Sequence, residues 1–502
     1  MLRFGTYLRS LLDSREISIS ELSRISGVER TSLQKSITGN RMLARDAVEK
    51  LIWSLQLTPE ESEKLRYYYD IFYIGEDKYK SREIIRKMLE NLDFIHQGKI
   101  HSQKHNQKHD QEKDSLSGTF AANSLKFLEK ESSFIVGSSN VHFLVQTIFQ
   151  RELKRENAHV EVTMPANMEF LNEFLLYLYQ ESKARIDVSH IVAIHRRRKG
   201  KKLNLHSIES FANLLPVCLV SDGQYNPYYY YDDSVSVLYT DPFPYFMVTR
   251  DCVLCMDANG EKALLLNNKE YVCCYRKHFE RLKNQCHALV NYNQGVFSSL
   301  EEYGKLYDPQ NMYVCVNQPC FACECSDEEI RHLIRKDIDG WEQIADACVQ
   351  WHSSLQKVER YHSLFKAEGV ISFMEDGHID DFPEIAYAIP EKVRLDILGR
   401  LIVSNEKDEH LMARMFNKEK ISYQSFITLS TTMKTGVGIF TTSRYKKGAP
   451  PICIHVQEPD VSEAFYYFIQ YLKAGELTCS KAETLEYLCE IRQIYAQRFA
   501  NR

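Results

Sequence analysis

The sequence of 502 residues lacks the features that mark membrane and secreted proteins. It contains no run of about 18 apolar residues, so no membrane-spanning helix and no membrane partner are expected. Met1 is not followed by a basic and then apolar leader. The 14 cysteines are spread over the whole chain rather than concentrated in a short disulfide-rich module, which favours reduced thiols. We therefore expect a cytoplasmic protein.

Recognisable catalytic motifs are also missing. None of the 17 histidines is followed two residues later by lysine, which excludes the chemistry of phospholipase-D-like enzymes. A Walker loop, an H-E-x-x-H motif and a G-x-S-x-G motif are absent as well. We therefore nominate no catalytic residue, no metal ligand and no cofactor.

The overall composition is that of a folded chain. Hydrophobic residues make up 44% of the sequence and charged residues 26%, which excludes disorder as the main state. The net charge of -5 excludes a uniformly basic surface, so any contact with nucleic acid must come from a local cluster of cations. At roughly 150 residues per domain, the length predicts about three domains.

A polar segment divides the chain. Residues 96–118, HQGKIHSQKHNQKHDQEKDSLSG, contain no Phe, Tyr or Trp, which is typical of a linker. Its His101, His105 and His109 are spaced for one helical face, but a low-complexity polar tract rarely holds a metal. We predict four regions, namely a helical domain at 1–75, a helix and linker at 76–118, and a body in two parts at 119–338 and 339–502.

The body alternates short strands with amphipathic helices. Three strand-like segments, at 160–162, 314–316 and 454–456, are each followed by a proline three residues after they end. After the first and third, apolar residues of a helical face recur in the same register, which indicates duplicated strand-helix units. Two apolar runs at 245–266 predict a hairpin around the turn at 257–260. We predict a mixed α+β fold, in which an all-α N-terminal bundle precedes a large α/β-type body.

Three clusters in the body leave alternatives open. Four thiols fall within eleven residues, at Cys315, Cys320, Cys323 and Cys325. Their irregular spacing favours buried structural thiols over a zinc or redox site. The cationic run 195–202, HRRRKGKK, is interpreted as a solvated hairpin tip, with contact to the DNA backbone or to an anionic effector as the alternative. The tyrosine run 225–231 fits either a ligand pocket or an edge strand.

Residues 4–66 carry the most informative pattern. A first helix has its apolar residues on one stripe, comprising Phe4, Tyr7, Leu8, Leu11 and Leu12. Ser18 and Glu21 form a capping-box pattern that starts a second helix, and Gly27 ends it. A third helix is predicted at 29–37, ended by Thr-Gly-Asn at 38–40. A helix, a tight turn containing glycine and a further helix predict a helix-turn-helix unit.

Two further helices complete this domain. The fourth has a stripe comprising Val48, Leu51, Ile52 and Leu55. The fifth starts at Thr58-Pro-Glu-Glu61, which combines an N-cap with a proline at the first helical position. A bundle of five short helices is expected.

This domain resembles the Cro-like helix-turn-helix family of phage repressors, also called the xenobiotic-response-element family. The resemblance is carried by ISISELSRISGVERTSLQKSITGNRM at 17–42 and LQLTPEESEKL at 55–65, and it covers about 65 of the 502 residues. Ser36 departs from the family, which has an apolar residue there, so we expect a shifted or strained end of the third helix. The resemblance implies binding to double-stranded DNA.

In such a unit the N-terminal residues of the third helix reach base edges in the major groove. Arg30, Thr31 and Gln34 are the candidate base-reading residues. Ser32, Lys35, Asn40 and Arg41 are the candidate phosphate contacts. Arg45 adds a further cation, whereas Glu29 counts against DNA binding. The alternative is that this face contacts protein.

The sequence is therefore interpreted as that of a DNA-binding transcriptional regulator. The body is expected to sense a small-molecule or peptide effector or to mediate assembly, and the protein is expected to act as a homodimer. The main alternative is an enzyme or defence effector whose helix-turn-helix domain is autoregulatory. A protein-interaction scaffold is a third alternative.

Overall fold

The computed structural model describes residues 2–92, 130–180, 185–197, 203–232, 241–380, 385–407, 410–424, 426–432, 434–442, 451–473 and 477–501. The chain forms two compact units, Met1–Glu83 and Ile84–Arg502, here called the head and the body. The linker predicted at 96–118, with His101, His105 and His109, lies outside the described residues. None of the helices in the described ranges combines the length and apolar character that crossing a bilayer requires.

The head is entirely helical, as predicted. Its helices are α1 Leu2–Ser14, α2 Ile19–Ser26, α3 Arg30–Ile37, α4 Arg45–Ser54 and α5 Pro59–Ile74, and α6 Glu76–Asn91 begins in the head. The predicted stripes form its core, which includes Phe4, Leu8, Leu11, Leu12, Leu22, Leu33, Val48, Leu51, Ile52, Leu55 and Leu65. The head therefore buries an apolar core of its own.

The caps that fix the helix boundaries are local, which is why the sequence predicted them. The Ser18 hydroxyl accepts a hydrogen bond of 3.1 Å from the Glu21 amide, and Gly27 ends α2 at a φ of 68°. At the start of α5, Thr58 and Glu61 form both hydrogen bonds of a capping box. Each of these interactions satisfies a backbone group that a helix end leaves unpaired.

Ser36 causes neither a shift nor a strained backbone at the end of α3. The helix ends at Ile37 as predicted, and Ser36 is 3% exposed. Between Arg30 and Arg41, the residue with a positive φ is Gly39, at 77°. The end of α3 lies close against α1, because a Cβ atom on Gly5 would overlap the carbonyl group of Ile37.

The first sheet of the body is mixed. Its strands are β1 Ser132–Val136, β2 His159–Val162, β3 Asp187–Ile194, β4 Tyr225–Tyr231, β5 Tyr245–Val248, β6 Val253–Met256, β7 Lys262–Leu266 and β8 His287–Ala288. They are ordered β1-β7-β6-β5-β2-β3-β4-β8. β2, β3 and β4 are parallel, and the other pairings are antiparallel. The helices of this part are α7 Ser138–Leu153, α8 Glu169–Gln180, α9 Leu205–Val220 and α10 Lys269–Lys283.

The second sheet contains seven strands. They are β9 Asn291–Gln294, β10 Asn311–Val316, β11 Arg360–Phe365, β12 Leu411–Met415, β13 Ile427–Thr432, β14 Gly436–Thr441 and β15 Ile452–Val456. The order from one edge is β9-β15-β14-β13-β10-β11-β12, and β10, β11 and β12 are parallel. Its helices are α11 Val296–Lys305, α12 Asp327–Leu333, α13 Trp341–Leu355, α14 Ala367–Asp376, α15 Glu391–Lys407, α16 Pro459–Lys473 and α17 Lys481–Ala500.

The two sheets have the same topology. Adding eight to each label converts the order β1-β7-β6-β5-β2-β3-β4 into β9-β15-β14-β13-β10-β11-β12, with the same parallel and antiparallel pairings. β8 is an addition to the first sheet. The body therefore contains a first repeat, β1 to α10, and a second repeat, β9 to α16, which agrees with the prediction of duplicated strand-helix units in a mixed α+β fold.

The particular pairing of units predicted from the sequence is wrong. The segments at 160–162 and 314–316 lie on β2 and β10, which are equivalent strands, whereas 454–456 lies on β15, the equivalent of β7. All three are buried strands followed by a proline, so their local sequence is alike. Their positions in the sheets differ because pairing partners distant in the chain decide those positions.

Two other local predictions need correction. The segment 245–266 forms three strands rather than two, because a turn closed by a 3.0 Å hydrogen bond from Thr249 N to Cys252 O separates β5 from β6. The predicted turn at 257–260 does join β6 to β7, with Gly260 at a φ of 69°. The cationic run at 195–202 is not a hairpin tip, since β3 is followed by α9 and is parallel to β4.

The two repeats pack against each other inside the body. Phe211 of α9 meets Phe465 of α16 edge to face, with 6.0 Å between ring centroids. Polar contacts also join the two repeats. The Tyr231 hydroxyl of the first repeat donates a 3.2 Å hydrogen bond to the carboxyl group of Glu458 in the second. The Asn204 amide donates a 3.1 Å bond to Asp460. The repeats thus share one hydrophobic core.

Candidate nucleic-acid interface

The turn between α2 and α3 is held by its own side chains. Ser26 donates a 2.6 Å hydrogen bond to Leu22 O and accepts one of 3.2 Å from the amide of Val28. The Ser23 hydroxyl donates to Val28 O at 2.7 Å. Val28 and Leu33 are both buried in the core of the head. These bonds fix the direction in which α3 leaves the turn, so its outer face is set by the fold.

That outer face carries the longest of the predicted DNA-contacting side chains. Arg30, Gln34, Lys35 and Arg41 are exposed, and their side chains make no hydrogen bond or ion pair with the residues that the structure describes. Arg30 stands at the first position of α3, and Gln34 lies one turn later. The face therefore presents three cations and an amide that can bind another molecule without breaking an internal contact.

Thr31 and Ser32 differ from these residues because their hydroxyl groups are engaged. Both donate to the carboxylate of Glu29, at 2.8 Å and 3.0 Å. These hydrogen bonds, first from Thr31 and then from Ser32, lower the pKa of Glu29, and the charges of Arg41 and Lys35 add to the effect. Glu29 thus anchors the first turn of α3, a structural role that the sequence interpretation missed. The methyl group of Thr31 remains available for an apolar contact.

The loop after α3 holds Asn40 in place. The Asn40 amide group donates a 3.1 Å hydrogen bond to Thr38, whose hydroxyl in turn donates to Gln34 O at 3.0 Å. Arg45 does not belong to the interface in the way that the sequence indicated, because it forms a 3.1 Å ion pair with Asp70. The cationic face therefore comprises Arg30, Lys35 and Arg41 without Arg45.

The second cationic cluster of the sequence is only partly described. Arg196 lies over the ring of Tyr231 at 5.1 Å from its centroid, and Arg197 pairs with Glu463 and, at 3.5 Å, with Asp460. Residues 198–202 lie outside the described residues. The two arginines that are described therefore take part in contacts with aromatic and acidic side chains of the body.

The four clustered cysteines do not converge. Cys315 is buried in the core shared by both repeats, whereas Cys323 and Cys325 belong to a separate core on the other side of the second sheet. Cys320 and Cys323 are neighbours, with 3.1 Å between their sulfur atoms. In the described ranges, no group of three or more His, Cys, Asp or Glu residues is arranged to hold a metal ion.

The environment of these thiols opposes the thiolate form that binds metals. The hydrogen bond with Cys320, together with burial, raises the pKa of Cys323 well above its usual value. Burial raises the pKa of Cys325 to about 12. A neutral thiol packs as a small apolar side chain, so we assign these residues to the core.

We expect the protein purified without chelators to contain no stoichiometric zinc, because the sulfurs do not converge and the buried thiols hold their protons. Elemental analysis of the purified chain measures this. Cys320→Ser should leave cooperative unfolding in place, with Cys489→Ser, at an exposed position on α17, as the control. About one zinc per chain, lost together with cooperative folding in Cys320→Ser, would show that the assignment to the core is wrong.

No family model matches the chain, and the comparison with curated proteins finds no match either. Among solved structures, one match is TrmBL2, described as an archaeal chromatin protein with a novel mode of DNA binding. It has a TM-score of 0.21 and 8% identity, and the alignment covers 38% of this chain and 72% of that one. The phosphatidylserine synthase of Haemophilus influenzae Rd KW20 matches with a TM-score of 0.23 and 11% identity, over 74% of this chain and 93% of that one. At these TM-scores neither likeness bears on function.

Proposed function

We propose that the protein is a DNA-binding transcriptional regulator with a Cro-like head and a body that senses an effector. The observation that carries the proposal is the outer face of α3, where Arg30, Gln34 and Lys35 are exposed and their side chains have no hydrogen bond or ion pair with the described residues. Structural residues on a helix surface commonly pair with neighbours, as Arg45 does with Asp70. Unpaired cations beside a rigid turn are what phosphate and base contacts require.

The chemistry of the face distinguishes base contacts from phosphate contacts. An arginine at the start of a recognition helix can bind guanine through two hydrogen bonds, and a glutamine one turn later can bind adenine in the same way. We assign these roles to Arg30 and Gln34, with the Thr31 methyl against a thymine methyl. Lys35 and Arg41 contact phosphates, joined by Ser32 and Asn40, and fix the register.

We expect Arg30→Ala and Lys35→Ala to weaken DNA binding in different ways. Arg30→Ala should cost about 1–3 kcal/mol on the preferred site and remove the preference at one base pair, because a bidentate contact is lost. Lys35→Ala should weaken binding to all sequences alike and reduce the salt dependence by about one unit of slope, because one phosphate contact is lost. Titration of selected and scrambled duplexes at several salt concentrations measures both effects.

Arg9→Ala is the matched control, because Arg9 is an exposed cation on α1 that pairs with Asp13 at 3.3 Å. It should leave both the sequence preference and the salt dependence unchanged. If Arg30→Ala retains the full sequence preference, the assignment of a base contact to Arg30 is wrong. Turnover of a substrate by the body, without operator binding by the intact protein, would favour the alternative of an enzyme or defence effector.

We also propose that the protein works as a homodimer held together mainly by the body. A single recognition helix reads only a few base pairs, and two copies about one helical turn apart gain specificity on a palindromic site. The apolar side chains of the head, such as Leu8, Leu22 and Leu51, are already buried in its own core. Among its described residues, the large apolar side chains that the head exposes are those of Ile25, Trp53 and Tyr73. We expect the larger body to supply most of the interface.

Light scattering is expected to show a dimeric whole chain, a dimeric body and a monomeric head at micromolar concentration. The head fragment should end at residue 75. The body fragment should begin at residue 76, because Ile85, Met88, Leu89 and Leu92 are part of the core of the body. A dimeric head with a monomeric body would reverse the assignment, and a monomeric whole chain would contradict the dimer.

A further inference from the structure

The body has a large cleft at the carboxyl ends of its first set of parallel strands. The cleft has a volume of about 1320 Å³, and residues that directly follow three strands line it, namely Thr163 after β2, His195 after β3 and Asp232 after β4. In sheets with parallel strands, ligands bind in the crevice outside these ends. The position and the size are both those of a ligand site.

In the second repeat, the end of β10, the equivalent of β2, is covered by the chain itself. Asn317 and Gln318 follow β10 as Thr163 and Met164 follow β2, and both are buried. The Asn317 amide donates to the carboxylate of Asp380, and Gln318 exchanges 3.0 Å hydrogen bonds with His378 O and the Asp380 amide. In the described part of the chain, residues 378–380 therefore cover the end of β10, whereas the equivalent end of β2 opens into the cleft. This difference between the repeats points to a distinct role for the first.

One wall of the cleft carries three rings of one packed cluster, namely those of Tyr230, Phe246 and Tyr275. Tyr245 also lines the cleft, but it packs against the other core of the body. Phe246 and Tyr275 meet edge to face, with 5.1 Å between their centroids. Tyr230 comes from the tyrosine run of the sequence, so the ligand-pocket interpretation applies to this member of the run. Aromatic faces attract organic cations through their negative π density.

Carboxylates lie beside these rings. Burial raises the pKa of Tyr230, and the charge of Asp232 raises it further. Burial likewise raises the pKa of Tyr275, with Asp241 among the charges that add to it. The carboxylate of Asp241 is oriented by a 2.9 Å hydrogen bond from the Phe243 amide. The phenol groups therefore remain neutral, while the two carboxylates supply negative charge at the aromatic wall.

The lining is acidic as far as the structure describes it. It contains five carboxylates against two lysine or arginine side chains; the carboxylates are those of Glu169, Glu173, Glu209, Asp232 and Asp241, and the cations those of Lys87 and Arg281. Burial lowers the pKa of His278, so this histidine adds no positive charge near neutral pH. The Asn172 side-chain oxygen, a further acceptor in the lining, has no hydrogen-bond partner in the described part of the chain. An anionic ligand is disfavoured in such surroundings.

We propose that this cleft binds an organic cation, a substituted ammonium group seated against Tyr230 and Tyr275 with its charge facing Asp232 and Asp241. The proposal deepens the sensing role of the body, because it names the chemical class of the effector. The claim that the bound cation is an effector rests on the proposed sensing role. The claim that the cleft binds a cation rests on the lining of the cleft alone.

Calorimetric titration of the full chain with choline and with 3,3-dimethyl-1-butanol tests the proposal. The two molecules have nearly the same shape, but only choline carries a positive charge. We expect choline to bind measurably at millimolar concentration and the neutral alcohol to bind about 5- to 30-fold more weakly, because the attraction is between the cation and the rings and carboxylates. No DNA is present, so failure of this proposal is distinguishable from failure of DNA binding by the head.

Matched variants identify the groups responsible. Tyr275→Leu removes a ring and Asp241→Asn removes a charge, and each should weaken choline binding about five-fold or more. Tyr275→Phe keeps the ring and should bind choline as the unchanged chain does. Asp241 is exposed, so Asp241→Asn should fold even if Tyr275→Leu does not. Equal binding of choline and the alcohol, unaltered choline binding in Asp241→Asn, or no binding of choline would overturn the proposal.

Discussion

Gly5→Ala is expected to destabilise the head by about 1–3 kcal/mol, although alanine normally stabilises a helix relative to glycine. The reason is the close approach of α1 and α3, since the added Cβ atom would overlap the carbonyl group of Ile37. A backbone atom cannot move aside by changing a rotamer, so one of the two helices must shift. The shift would disturb the end of the proposed recognition helix as well as the core.

Urea unfolding of residues 1–75, followed by circular dichroism, measures the effect on the head. Ser10→Ala is the control in the same helix, because Ser10 is exposed and its replacement should be nearly neutral. Gly304→Ala in the full chain is a second control, since nothing lies within 4 Å of a Cβ atom built at this helical position. That substitution should be neutral or stabilising. A stabilising Gly5→Ala would show that the two helices are less closely packed than described.

The contact between Gly5 and Ile37 also marks a limit on what could be predicted of the head from its sequence. Helix starts and ends were predicted because Ser18, Gly27 and Thr58 act on backbone groups within four residues of themselves. The close approach of α1 to the end of α3 could not be predicted, because it brings Gly5 against the backbone of Ile37, which is distant in the sequence.

The body shows the same limit on a larger scale. Strand segments such as 160–162 and 454–456 were located correctly from their apolar residues and the proline that follows. Their equivalence was misassigned, because the topology depends on pairings between distant strands that a short sequence pattern does not encode. The cleft was missed for the same reason, since its lining comes from β2, β3, β4 and three or more helices. Tyr230, in the tyrosine run, and His195, at the start of the cationic run, gave signals for it.

For the candidate DNA-contacting residues, the sequence predicted which side chains are exposed better than which side chains form hydrogen bonds or ion pairs within the chain. Helical spacing placed Arg30 and Gln34 on the outer face, where the structure has them. The same spacing could not show that Glu29 holds the hydroxyl groups of Thr31 and Ser32, or that Arg45 pairs with Asp70. Hydrogen bonds and ion pairs depend on rotamers and on neighbouring helices, so a sequence pattern gives the position of a polar side chain but not its partner.

Glu458→Gln is expected to stabilise the body at about pH 8 and to have little effect at about pH 4, because Glu458 is a buried carboxyl group at the contact between the repeats. Burial raises its pKa to about 7, even though the Val461 amide donates a 2.8 Å hydrogen bond to it. The ordinary pKa of glutamate in an unfolded chain is about 4.3. Between these two values the folded protein keeps a proton that the unfolded chain has lost.

The sign follows from this difference in bound protons. Because the folded state binds more protons, stability falls as pH rises from about 4 to about 7, and above that range a constant cost remains. The shift corresponds to a cost of up to about 3 kcal/mol, of which we expect Gln to recover about 1–3 kcal/mol. A glutamine can accept from the Val461 amide through its oxygen and donate to Tyr231 through its nitrogen, so both contacts are retained.

Urea unfolding of the full chain in a Trp53→Phe background measures the difference at both pH values. In this background the tryptophan fluorescence comes from Trp341 and Trp351, which belong to the body. Glu486→Gln is the control, since Glu486 is an exposed carboxylate on α17, and it should change stability equally little at both pH values. A Glu458→Gln variant destabilised to the same extent at both pH values would mean that hydrogen bonding, and not charge, dominates at this position. A gain confined to the higher pH would show that the contact between the repeats contains a carboxyl group that ionises at a cost near neutral pH.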